Sequence, residues 1–188
     1  MKEIIVGTDR KGSRSRTVSE FIQGLYAKAG EEVGIIDISE VGLSDIKKPY
    51  TDERPDALHQ AIERVNNADG LIFVVPEYNG SYPGALKYLI DHWAYPTSFE
   101  FRPVCYVGLG GRWGGLRPIE HLQGVMGYRN AYQLPQRVFL SGIFTMLNEA
   151  GEITQADVLE LLEIQVKEFQ SFVKGLNSVG LAAPNRNQ

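Results

Sequence analysis

The 188-residue sequence has one cysteine and three histidines, and both scarcities exclude chemistry. Cys105 alone can form no internal disulfide. His59, His92 and His121 make no ligand pair at helical spacing and no CxxC accompanies them, so no metal site is expected. No apolar run approaches the length that spans a bilayer. The amino-terminal MKEIIVGTDRKG holds only three consecutive apolar residues, far short of a signal-peptide core. These absences read as a cytoplasmic chain without a membrane segment. Positive charge is not in excess either: 19 Lys and Arg against 23 Asp and Glu give −4, which argues against general nucleic-acid binding. Yet four of those 19 cations fall within seven positions, at Arg10, Lys11, Arg14 and Arg16.

What is present is ordinary globular material, 43% hydrophobic and 22% charged, in a length that suits one domain. Strand-like and helix-like segments alternate along it. Glu3 to Gly7 is a β-branched run, and Ser13 to Ala29 carries helical spacing through Val18, Phe21, Ile22 and Leu25 until Gly30 stops it. Val33 to Ile38 reads as a second strand, followed by an irregular stretch from Ser39 to Pro55. Asp56 to Ala68 repeats apolar positions at Leu58, Ala61, Ile62 and Val65, a second helix. The unbroken run from Gly70 to Val75 suits a central parallel strand buried on both faces. Pro83 stands where helix-starting prolines stand, ahead of a helix from Gly84 to Trp93.

The remaining elements are a strand from Pro103 to Gly108, a helix from Leu116 to Met126, and a strand from Gln136 to Leu140. A closing helix runs from Gln155 to Leu176, which Thr154 can cap. Five strands separated by helices make βαβ units and an α/β, doubly wound sheet. Residues 1–176 are expected to form a single domain and 177–188 a frayed tail. Cys105, inside the apolar run Val104 to Val107, is expected in the core.

In an open α/β sheet, ligands bind outside the carboxyl ends of the strands, and three such connections have unusual composition. The first, Gly7 to Thr17, places its cations at a helix N-terminus, the unfavourable end of the dipole. That makes sense if an anion such as a phosphate monoester sits there, held by backbone N–H groups, the hydroxyls of Thr8, Ser13 and Ser15, and one or two guanidinium groups. A solvated basic turn is the plainer alternative. Neither GxxxxGK[ST] nor GxGxxG is present, so the segment is no P-loop and no dinucleotide fingerprint. The second, Pro76-Glu-Tyr-Asn-Gly-Ser-Tyr-Pro-Gly84, offers flat side chains and amides to a planar heteroaromatic ligand, or is a well-made turn. The third, Gly108 to Gly115, has five glycines in eight residues, which permits close backbone approach to a ligand ring or simple flexibility. Arg112 and Trp113 within it receive no catalytic role.

The run from Pro76 to Asp91 resembles the signature of the NAD(P)H-dependent FMN reductases, the flavodoxin-like family that includes chromate, quinone and azo-dye reductases. Arg10-Lys-Gly-Ser13 is similar to that family's phosphate-binding segment, and Gly114-Gly115 with Arg117 resembles its third loop. Two departures stand out: Ser15 lies where many relatives carry Asn, and Gly-Leu-Gly-Gly replaces a loop often built from hydroxyl residues and Pro. The resemblance implies a flavodoxin-like five-stranded parallel sheet of order 2-1-3-4-5 with helices on both faces. It further implies one non-covalent FMN, with NADPH or NADH as co-substrate and a small-molecule electron acceptor.

On the same basis Arg10, Ser13 and Ser15 would hold the phosphate, joined by Thr8 from the reading of the loop's hydroxyls, and Pro76, Glu77, Tyr78 and Asn79 would border the flavin ring. Gly110 and Gly111 would lie along its other edge, and no side chain is expected to be catalytic. A homodimer or homotetramer through the helix starting at Gly84 is also implied, with Tyr82, Lys87, Tyr88 and His92 to Tyr95 as candidate contacts. The main alternative is a flavodoxin-type electron carrier that binds FMN without being an enzyme. A phosphatase would need a cysteine five residues before an arginine, but six residues separate Cys105 from Arg112. A receiver domain would need an Asp ending the third strand, where Val75-Pro76 stands.

Overall fold

The computed structural model describes residues 1–45 and 54–183. Five parallel strands form the sheet: β1 (Lys2–Val6), β2 (Val33–Asp37), β3 (Leu71–Pro76), β4 (Pro103–Gly110) and β5 (Tyr132–Ser141). Their order is β2-β1-β3-β4-β5, the flavodoxin-like order expected. Between them run α1 (Arg14–Lys28), α2 (Asp56–Asn67), α3 (Gly84–Asp91), α4 (Leu116–Tyr128) and α5 (Ala156–Ser178).

The two-residue period of each strand sorts its side chains between two cores. Ile4, Ile72, Val74, Cys105 and Val107 face α1 and α5, where Val18, Ile22, Leu162 and Phe169 cover them. Ile5, Leu71, Phe73, Val75 and Tyr106 face α2, α3 and α4 through Leu58, Ile62, Leu86, Leu89, Ile119 and Leu122. Each such fully buried side chain stabilises the fold by roughly 1.5–3 kcal/mol. Cys105 lies in the first core with no exposure, and burial pushes its thiol pKa well above the ordinary value.

Several boundaries differ from expectation, each for a physical reason. Strand β4 runs two residues further, through Leu109 and Gly110, because both pair with β5. Strand β5 begins at Tyr132 and continues through Pro135, around which its register to β4 shifts between Val104 and Tyr106. Proline lacks the N–H a regular ladder needs, and β5 is an edge strand where such a break is tolerated. The buried Gln165 of α5 repairs the gap: its Nε2 donates to the carbonyls of Tyr106 and Gln136, both at 3.0 Å.

Helix α5 starts after Gln155 without a side-chain cap, so Thr154 does not serve as one. It ends at Ser178 rather than Leu176. Ala182 and Ala183 are buried, with the Ala183 N–H donating to the Phe101 carbonyl at 3.0 Å. The last five residues of the expected tail, and 46–53 of the expected irregular stretch, lie outside the described residues. Two short 3₁₀ turns, Ile38–Glu40 and Leu43–Asp45, precede the latter. No helix of the described residues is long and apolar enough to cross a membrane, and no cluster among them could hold a metal ion.

Candidate flavin site at the strand carboxyl ends

The Gly7 N–H donates to the Val74 carbonyl and the Glu77 N–H to that of Leu109, which brings the ends of β1, β3 and β4 together. Over those ends lies an open cleft lined by Arg10, Ser13, Arg14 and Ser15 from the first connection and Pro76, Glu77 and Tyr78 from the second. Gly110 and Gly111 line it from the third, and Ile143 and Phe144 from a fourth that follows β5.

Ser13 caps α1. Its backbone is extended and its Oγ accepts from the Arg16 N–H at 3.2 Å. The N–H groups of Gly12, Ser13, Arg14 and Ser15 find no protein acceptor among the described residues, and the first turn holds no acidic side chain. Unpaired donors at the positive end of a 15-residue helix, beside Arg10, are the chemistry that suits an anion.

The four clustered cations do not act together. Arg16 turns away: its Nε donates to Glu20 at 2.9 Å and its Nη1 to Asp37 at 3.3 Å. Those bonds, Glu20 foremost, hold its guanidinium pKa above the usual value. Arg10, Lys11 and Arg14 have no carboxylate partner among the described residues. Thr8 does not line the cleft. It has no exposure, and its Oγ1 lies 3.0 Å from the Tyr78 hydroxyl while accepting from the Arg10 N–H, so it ties the first connection to the second.

The second connection is a miniature hairpin. The Tyr78 N–H donates to the Ser81 carbonyl at 2.8 Å and the Ser81 N–H returns to Tyr78 at 3.1 Å. Asn79 and Gly80 between them both have positive φ, 51° and 79°, the backbone of a type I′ turn. Asn-Gly is the strongest short signal for that turn, so the ligand-bordering segment and the well-made turn read from the sequence are the same feature. Asn79 itself lies outside the cleft lining, at the hairpin tip. Glu77 and Tyr78 spend their N–H groups within the protein, whereas those of Asn79 and Gly111 have no protein acceptor among the described residues.

The glycines of the third connection serve internal packing. A Cβ on Gly108 would stand 2.7 Å from the Gly114 carbonyl oxygen, one on Gly110 2.7 Å from the Gly115 nitrogen, and one on Gly115 2.5 Å from the Leu109 nitrogen. The loop folds back on its own strand, and side chains there would separate the two. Gly111 alone faces outward, where a Cβ would meet only the Phe144 ring at 3.6 Å.

Ile143 and Phe144 are the cleft residues that sequence reasoning missed. Gly142, with φ +73°, donates its N–H to the carbonyls of Gly110 and Gly111 and turns the chain over the cleft. The signal was available: Ser141-Gly-Ile-Phe144 follows the carboxyl end of a parallel strand, as do the other three connections.

A sheet of this order with unpaired N–H groups at the helix start after β1 and converging connections after β3 and β4 defines the flavodoxin-like class. Comparison with known proteins narrows the class. The model of the NADPH-dependent FMN reductase family matches residues 3–145. The chain is 30% identical to an NADPH azoreductase of Bacillus sp. (strain OY1-2), over 92% of this chain and 93% of that protein. It is 26% identical to a quinone reductase of Escherichia coli (strain K12), over 90% and 93%. Among solved structures it resembles FerB, a flavoenzyme NAD(P)H:(acceptor) oxidoreductase from Paracoccus denitrificans, with a TM-score of 0.74 at 19% identity, over 93% of this chain and 97% of that one. An archaeal flavodoxin shares the fold at a TM-score of 0.59 and 13% identity, over 93% and 99%.

The chain belongs to the NADPH-dependent FMN reductase family. It is an oxidoreductase that uses FMN with NAD(P)H. The residues present fit that cofactor: the unpaired N–H groups and Arg10 match a phosphate, and the hairpin and Gly111 leave an open slot for a planar ring.

Proposed function

We propose that the protein takes a hydride from NAD(P)H onto bound FMN and delivers the electrons to a quinone, free flavin, azo compound or metal oxyanion. Donor and acceptor would use the same face in turn, a ping-pong route. The observation that carries this reading is the run of four unpaired N–H groups at the start of α1, opening into the same cleft as Tyr78 and Gly111. Bound FMN supplies the redox chemistry, so the chain needs to bind, orient and tune it.

Within that reading, Arg10 and the N–H groups of Gly12 to Ser15 hold the phosphate, with Ser13 and Ser15 beside it. Thr8 fixes Tyr78 from behind rather than touching the phosphate. Pro76, Glu77 and Tyr78 border the ring, with Asn79 at the hairpin tip. The Gly111 N–H stands ready to donate to the ring edge where negative charge gathers on reduction. Cys105 takes no part, being buried and protonated.

We also propose that the protein works in the cytoplasm as a homodimer or homotetramer through α3. The support is an apolar groove between α3 and α4, lined by Ile90, Phe99, Val125 and Tyr128. Purified protein should carry FMN, and NADPH should bleach its visible absorbance without an acceptor. Double-reciprocal plots against a quinone should then give parallel lines. An FMN-loaded protein that NADPH leaves oxidised is a flavodoxin-type carrier instead.

A further inference from the structure

Arg14 and Phe144 lie 130 positions apart in sequence and meet over the cleft that both line. The Arg14 guanidinium sits over the Phe144 ring, 5.0 Å from its centroid. Arg14 belongs to the first turn of α1, where the unpaired N–H groups gather. Phe144 comes from the connection after β5, and its ring stands near enough to Gly111 that a Cβ there would meet it at 3.6 Å. Phe144 is 65% exposed, so the part of its ring not under Arg14 is open to a ligand in the cleft that it lines. Its neighbour Ile143 is buried and anchors the segment in the α1–α5 core. Arg14 has no carboxylate partner among the described residues, so the aromatic face is its one assigned contact.

We propose that Arg14 and Phe144 form a strap across the phosphate end of the cleft that retains FMN as a resident group rather than a passing substrate; the proposal rests on the FMN site described above. The strap is a cation–π contact reaching from a helix start to the far connection, with the cofactor's path between them. For FMN to leave, the pair must part. Bound FMN would in turn cover the exposed face of Phe144 and strengthen the contact by excluding water from it.

The test is the rate of flavin release, followed by the rise in free-flavin fluorescence when the loaded protein is diluted. F144L and R14Q should each speed FMN release about two- to fivefold, the range an exposed cation–π contact supports. The double variant should be no faster than the quicker single, because either change breaks the same contact. F144W, which keeps an aromatic face, should restore slow release. Riboflavin, which lacks the phosphate, should be released faster from both single variants as well.

A wild-type release rate in F144L overturns the strap, as do fully additive effects of the two changes. An R14Q effect confined to FMN overturns it too, leaving Arg14 a plain phosphate ligand. Wild-type protein that takes up no FMN removes the flavin reading itself, and the strap with it. Loaded protein with unaltered release in the variants removes the strap alone.

Discussion

Ser13 shows how much one residue carries in this site. It ends the first connection, caps α1 and lines the cleft, so its replacement should be felt in both stability and binding. Ser13→Ala should lower stability by about 1 kcal/mol, a melting shift of about 2–4 °C for a domain this size, and weaken FMN binding. Thermal melts of cofactor-free protein and a fluorescence titration read the two effects separately. The arginines divide more sharply. Arg10 faces the cleft and Arg16 is committed to Glu20 and Asp37. Arg10→Ala should weaken FMN binding by roughly tenfold or more, in line with a charge-assisted bond of about 1.5–3 kcal/mol. Arg16→Ala should leave the affinity within about twofold of wild type while lowering the melting point, since Asp37 is nearly buried and loses its cation. Equal losses of affinity in the two variants would show that the cation cluster acts as a unit after all.

At the scale of elements, the glycine-rich turn after β4 behaves as part of the strand. Gly115 has a φ of +82° and no room for a Cβ, because the Leu109 nitrogen stands in the way. Gly115→Ala should therefore cost more than about 1 kcal/mol and lower the FMN content of the purified protein. Gly111→Ala, with only the Phe144 ring nearby, should fold with a melting point within a degree or two of wild type. A urea series on both variants checks the contrast. The sequence showed five glycines at this place but not which served packing and which served access. That division depends on how the loop folds back on its own strand. The same limit hid the first part of β5, Tyr132 to Pro135, where the register to β4 shifts and Gln165, 29 positions beyond Gln136, supplies the bonds. The periodic helices and the apolar run of β3 were legible because burial on a regular face repeats along the chain.

For the whole molecule, titration and assembly give the clearest tests. Burial raises the pKa of Cys105, Tyr26 and Tyr106, so each is held neutral in the fold and ionises more readily once unfolded. Stability from these groups is complete below their unfolded values, about 8.5 for the thiol and about 10 for the phenols, and falls as pH rises beyond them. Chemical denaturation at pH 7, 9 and 10.5 should show full stability at pH 7, a loss at pH 9 where the unfolded thiol ionises, and a larger loss at pH 10.5 where the phenols join it.

The surface beside α3 makes a separate demand. Tyr95 and Tyr128 are 66% and 77% exposed, and the Arg129 guanidinium stands 3.9 Å from the Tyr95 ring centroid. If the subunits meet there, Tyr128→Asp should shift the sedimentation profile to the monomer, and an unchanged profile would place the interface elsewhere.

The sequence by itself determined the alternation of elements, the two-sided burial of β3 and the carboxyl-end connections as the place to look, because apolar period and turn chemistry are local. Only the tertiary structure decided which cations face the cleft, that Thr8 bonds Tyr78, and that Phe144 lines the cleft with Arg14 over its ring. Those depend on residues brought together from distant parts of the chain, where contact follows from packing rather than from spacing.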